Sequence, residues 1–95
     1  MFILSLSYVA PLEEVDALLE AHIAWLKQNH AEGRFQAWGR KIPRTGGMIF
    51  ATVGGREEAE ALAASDPFII GGVATVEVTE FRATFAGAGL EALGQ

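Results

Sequence analysis

The chain is predicted to take the ferredoxin-like α+β fold, a β-α-β-β-α-β order with a four-stranded antiparallel sheet and two helices on one face. Three observations predict it. A strand–helix–strand pattern occurs twice in 95 residues. A single long stretch, residues 12–30, carries helical spacing of apolar side chains. The remaining apolar runs are short, rich in β-favouring residues and bounded by Gly or Pro.

Residues 2–8 open the chain as a strand, with Phe2, Leu4, Leu6 and Tyr8 alternating against Ile3, Ser5 and Ser7. Pro11 ends it. The helix at 12–30 follows, with Glu13, Glu14 and Asp16 placed where the helix dipole favours acids. At about 100° per residue, Val15, Leu18, Leu19, His22, Trp25 and Leu26 share one side. Glu13, Asp16, Glu20, Lys27 and Gln28 take the other, and Gly33 supplies a stop. Residues 34–42 form a second strand, weakened by Gly39; 43–47 turn the chain, and 48–53 return as a third strand. After Gly54-Gly55, residues 56–65 make a short helix that Asp66-Pro67 halts, because proline disfavours helical geometry in the residue before it. Residues 68–72 connect to a long last strand at 74–85. Residues 1–85 are thus one domain, and 86–95 a tail in which Leu90 and Leu93 mark a loose helical turn.

Two helices cover only one face of such a sheet. Yet the third strand carries Met48 and Phe50 on one side and Ile49, Ala51 and Val53 on the other, while Ile3 opposes Leu4 and Leu6. Strands apolar on both faces need cover on both. The expectation is a second subunit packed sheet to sheet, a homodimer or a higher oligomer built on one.

Composition narrows the function. The 51% apolar and 20% charged residues suit a folded globular chain. A net charge of −5 argues against nucleic acid as a partner. With no cysteine, disulfides, thiolate catalysis and Cys-ligated zinc are excluded. No run approaches the roughly 18–20 apolar residues of a membrane span, and residues 1–12 lack the positive start of a signal peptide, so a cytoplasmic protein is expected. Arg34, Arg40, Lys41 and Arg44 are four of the seven basic residues, with no acid among them. That segment either steers a small anion or is a solvated hairpin.

Two residues carry the candidate chemistry. His22 places a titratable imidazole in the apolar helix stripe, a cost unless a partner satisfies it. It is therefore a hydrogen-bonded core residue or a proton carrier in a pocket. Helices of this fold lie side by side, so His22 can approach Asp66 at the end of the second. A carboxylate beside an imidazole fixes its tautomer and suits acid–base work near neutral pH. Asp66 has a simpler alternative, capping backbone N–H groups around Pro67. Tyr8 and Ser7, at the end of the first strand, are candidates to line a pocket; Arg40, Lys41 and Arg44 are candidates to attract substrate charge. His22 and His30 stand roughly 12 Å apart along a helix, too far to share a metal, and no metal or organic cofactor is expected.

The stretches Phe2-Ile3-Leu4-Ser5-Leu6-Ser7-Tyr8, His22 with Leu26, Gly33-Arg34-Phe35, Gly39 with Lys41, Pro43-Arg44-Thr45-Gly46-Gly47 and Asp66-Pro67-Phe68 together resemble the YciI-like family. The resemblance implies a dimeric α+β barrel, related in fold to muconolactone isomerases and stress-responsive barrel monooxygenases. It also implies a site built on a histidine and an aspartate, here His22 and Asp66. The chain departs from the pattern at Trp38-Gly39-Arg40, where many relatives resemble Ser-Gly-Pro; an indole or a guanidinium stands where they have a hydroxyl or a proline. The expected activity is cofactor-independent acid–base chemistry, of isomerase, lyase or dehalogenase type, on a small cyclic or aromatic metabolite. The alternative is a non-catalytic ligand-binding or accessory dimer.

Overall fold

A computed structural model describes residues 1–91 of the chain. Its elements are β1 (Phe2–Tyr8), α1 (Leu12–Ala17), α2 (Leu19–Ala31), β2 (Phe35–Arg40), β3 (Gly46–Ala51), α3 (Arg56–Ala64), α4 (Pro67–Ile70) and β4 (Ala74–Glu80). The strands form one sheet in the order β2-β3-β1-β4, and every neighbouring pair is antiparallel. This is the expected α+β arrangement, with each helical arm of the pattern divided in two.

The alternation read in β1 decides the layers. Phe2, Leu4 and Leu6 are buried, and they join Phe35, Ile49, Ala51 and Ala74 from the other strands in one core. Val15, Leu26, Ala59, Ala63 and Phe68 meet them from the helices. On the opposite face Ile3 and Phe50 are half-buried and lie across from each other in the ladder, and Met48 is 40% exposed. Gly46 lies across from Ser7 at the end of the β1–β3 ladder, and a Cβ there would run into the Leu6 carbonyl. Glycine is required by that close approach.

Four expectations need correction. The helix expected at 12–30 is interrupted at Leu18, whose N–H bonds Val15 O at 3.0 Å, three residues back, and ends α1. Leu18 is held there by packing on Gly71, where even one added carbon would collide with its side chain. The connector expected at 68–72 begins with a helical turn. Asp66 caps it, accepting the Phe68 N–H at 2.9 Å, and Pro67 occupies the first turn, where its missing N–H costs nothing. The last strand stops at Glu80, not at 85, because its partner is exhausted: Glu80 pairs with Phe2, and Phe81 and Met1 close the ladder with bonds of 2.8 Å. The middle strands are shifted, β2 ending at Arg40 and β3 starting at Gly46.

Gly33 ends the first helical arm as expected, with φ +84° and its N–H on His30 O. In the tail, Leu90 N–H bonds Gly87 O at 3.0 Å; Leu93 lies outside the described residues. Among the described residues, no helix is long and apolar enough to cross a membrane.

Candidate functional site

The capping turn that starts α4 also holds the histidine. His22, in the first turn of α2, brings Nδ1 to 2.7 Å from Oδ1 of Asp66. Asp66 is 1% exposed, and its other oxygen, Oδ2, has no partner among the described residues. Oδ1 also accepts the Phe68 N–H at 2.9 Å; as a carboxylate Asp66 only accepts, and His22 Nδ1 is then the donor. A neutral His22 is thereby left with Nε2 as a free acceptor; a protonated one donates from Nε2.

Two aromatic contacts fix the ring, and a third braces Phe68. The imidazole stacks on Phe68, with centroids 3.9 Å apart and planes 9° apart. Trp25 flanks the imidazole at 5.8 Å and donates from Nε1 to Ser65 Oγ at 2.9 Å, tying the indole to the end of α3. Tyr8 meets Phe68 edge-on at 6.0 Å.

His22 forms part of the wall of a cavity of about 280 Å³ between α2 and the sheet. Leu19, Ile23 and Leu26 complete the helical wall, and Leu6, Tyr8 and Ile49 are among the sheet residues lining it. Trp38, Arg40 and Met48 stand at its rim, all partly open to solvent. Among the described residues, no group of three or more His, Asp or Glu is placed to hold a metal ion.

The structure brings together four of the seven residues marked in the sequence: His22, Asp66, Tyr8 and Arg40. Ser7 is not with them. It follows Leu6 and precedes Tyr8, so pleating turns it to the other face, where it is exposed and accepts from Lys41 Nζ at 3.4 Å. Lys41 lines a second, more open recess with Ala37 and Phe50, which adjoins the first and shares Trp38, Gly39, Arg40 and Met48 with it. Arg44 is occupied by an ion pair: its Nη2 lies 2.6 Å from Asp16 Oδ1, and its guanidinium covers the Tyr8 ring at 5.7 Å. The Asp16 hydrogen bond raises the pKa of Arg44, and its counterpart holds the Asp16 carboxyl below the usual carboxylate range. His30 places Nδ1 2.8 Å from the Phe35 carbonyl and sets its ring edge against Trp38 at 5.9 Å.

Phe68, Ile23, Trp38 and Met48 were not among the candidate site residues, although Trp38 was noted as the indole standing where relatives have a hydroxyl. Two signals pointed to them. Ile23 follows Leu19 by four residues, and Trp38 shares its strand face with Arg40 two positions on.

A family model for the YCII-related domain matches residues 1–82. No curated protein matches the chain. Among solved structures, it is similar to 5-chloro-2-hydroxyhydroquinone dehydrochlorinase from Burkholderia phenoliruptrix AC1100, in complex with 2,5-dihydroxybenzoquinone. The two share 20% identity with a TM-score of 0.71, over 86% of this chain and 94% of that one. That likeness shows a shared fold, and the family match spans all four strands and both helical arms: the chain belongs to the YCII-related domain family.

Proposed function

We propose that the chain is an acid–base enzyme acting on a small cyclic or aromatic molecule, with His22 as the proton carrier and Asp66 orienting it. The observation that carries this reading is the 2.7 Å contact between His22 Nδ1 and a buried Asp66 in the wall of a cavity. In a turnover, Nε2 takes a proton from a ring hydroxyl or ring carbon, and the electron pair left behind moves into the ring. An isomerase then returns that proton at another position; in a dehalogenase it is returned to the halogen-bearing carbon, which becomes tetrahedral, and loss of a second hydroxyl proton expels the halide with its bonding pair. Asp66 stabilises the imidazolium in between. The chlorinated hydroquinone named for the solved relative supports a dehalogenase-type step on an aromatic ring.

The same reading includes a homodimer, with the second copy covering Ile3, Met48 and Phe50. The alternative, a dimer that only holds a metabolite, is favoured by the largely apolar walls of the cavity.

The test has two readouts. Long-range ¹H–¹⁵N spectra, assigned with His30→Gln, should show the neutral His22 as the Nδ1–H tautomer, and Asp66→Asn should redistribute it. Chloride release from chlorinated hydroquinones should fall at least about a hundredfold in His22→Gln. Binding without chloride release or any ring-proton exchange in the wild type would favour the holding role.

A further inference from the structure

We propose that Arg40 and Trp38 form a specificity subsite at the cavity rim, and that the ligand it selects is a single aromatic ring bearing a carboxylate. This rests on reading the cavity as the ligand site and adds the substrate class.

The first observation is a cation left over. Arg34 pairs with Glu32 at 2.9 Å, Arg44 with Asp16, and Arg56 with Glu60 at 3.2 Å. Arg40, like Lys27 and Arg82, makes no ion pair and no side-chain hydrogen bond to the described residues. Its charge acts on Asp16 through space, after that of Arg44, and of these three cations it is the one that lines the cavity of His22. The protein as a whole carries −5 and four of its seven basic residues lie in this segment, so attraction for an anion is concentrated here. Arg40 lines both recesses whereas Lys41 lines only the second, and Arg44 is bound to Asp16, so Arg40 is the cation that reaches the His22 cavity.

Its placement favours a planar ligand. Arg40 lies opposite Gly47 in the ladder and Trp38 opposite Ile49. The glycine presents no side chain across from the guanidinium. The indole is braced by a T-shaped contact with the His30 ring. A guanidinium fork matches the two oxygens of a carboxylate, whereas a lone phenolate oxygen uses half of it. An indole two residues away on the same strand face offers a flat apolar surface to the ring that carries the group. His22 lines the same cavity from the helical wall, so a ring anchored at the sheet shares that space with the imidazole. At about 280 Å³ the cavity sits at the small end of ligand sites, which suits one ring and excludes a nucleotide.

The test uses a matched pair of probes, 2,5-dihydroxybenzoate and 2,5-dihydroxybenzamide, with binding measured by calorimetry. The wild type should prefer the acid by about tenfold or more, the worth of a charge-assisted contact. Arg40→Gln should remove that preference to within about twofold, leave amide binding unchanged, and weaken acid binding. Arg40→Lys should keep part of it, and Trp38→Ala should weaken both probes together. An equal affinity of the wild type for the two, a preference that survives Arg40→Gln, or no binding of either probe overturns the subsite. His22→Gln separates the two proposals. If proton chemistry fails but this variant still prefers the acid, the subsite stands without the enzyme. If the His22 tautomer and chloride release are as expected but Arg40→Gln changes nothing, the subsite alone falls.

Discussion

His22 and Phe68 lie ring on ring, 3.9 Å between centroids and 9° between planes. The backbone N–H of Phe68 and Nδ1 of His22 both end on Oδ1 of Asp66. One residue therefore supplies the surface under the imidazole while its amide shares the oxygen that orients it.

Phe68 is 2% exposed and touches Tyr8 as well, so its removal opens the core beneath the site. Phe68→Ala should cost about 3–5 kcal/mol. Phe68→Leu should cost less, about 1.5 kcal/mol, while still loosening the imidazole. Urea unfolding measures both, and an alanine variant as stable as the wild type would remove Phe68 from the core.

Gly46→Ala should destabilise the fold by about 1–3 kcal/mol, because its Cβ meets the Leu6 carbonyl, which is backbone and cannot turn aside. Gly39→Ala is the control. Nothing lies within 4 Å of a Cβ there, so a change within about 0.5 kcal/mol is expected. Paired thermal unfolding curves decide between them; equal midpoints would contradict the close approach at Gly46.

The Asp16–Arg44 pair sets a pH-dependent contribution. The Arg44 hydrogen bond lowers the pKa of Asp16 from its ordinary 3.8 in the folded chain. A depressed carboxyl stabilises the fold above its unfolded pKa and loses that contribution as pH falls through the folded one. The wild type should therefore lead Asp16→Asn at neutral pH and converge with it in acid below about pH 4. Both groups are partly solvent-exposed, so the lead should be small and shrink with added salt. A lead that grows on acidification would reverse the sign.

The proposed dimer predicts elution near twice 10.1 kDa at micromolar concentration. Met48 is 40% exposed on the strand that also carries Phe50, so Met48→Asp should shift elution toward the monomer or unfold the protein. Light scattering reads the mass directly, and a wild-type monomer would remove the second copy.

The order of strands and helices along the chain was legible because their periods differ. The helix stripe and the doubled motif allowed His22 to approach Asp66 but left open whether Asp66 only capped its own turn. Leu18 was not legible as a break. Leucine favours helix in isolation, and the break there depends on Gly71, distant in sequence. The four residues of α4 are too short to show a period, although Asp66-Pro67 is also a helix-start signature, read here only as a stop. Four cations stood together in sequence, and the fold separated them: Arg34 onto Glu32, Arg40 to the His22 cavity, Lys41 to the adjoining recess alone, and Arg44 onto Asp16. Alternation with Leu6 would already have separated Tyr8 from Ser7.

The oxygen shared by Phe68 and His22 makes the site's integrity visible without a substrate. The Phe68 amide cannot trade its proton for deuterium until it leaves Asp66 Oδ1. Whenever the turn beginning at Asp66 opens, the imidazole loses its anchor too. The exchange rate of one backbone amide is then a clock for how often this histidine is released.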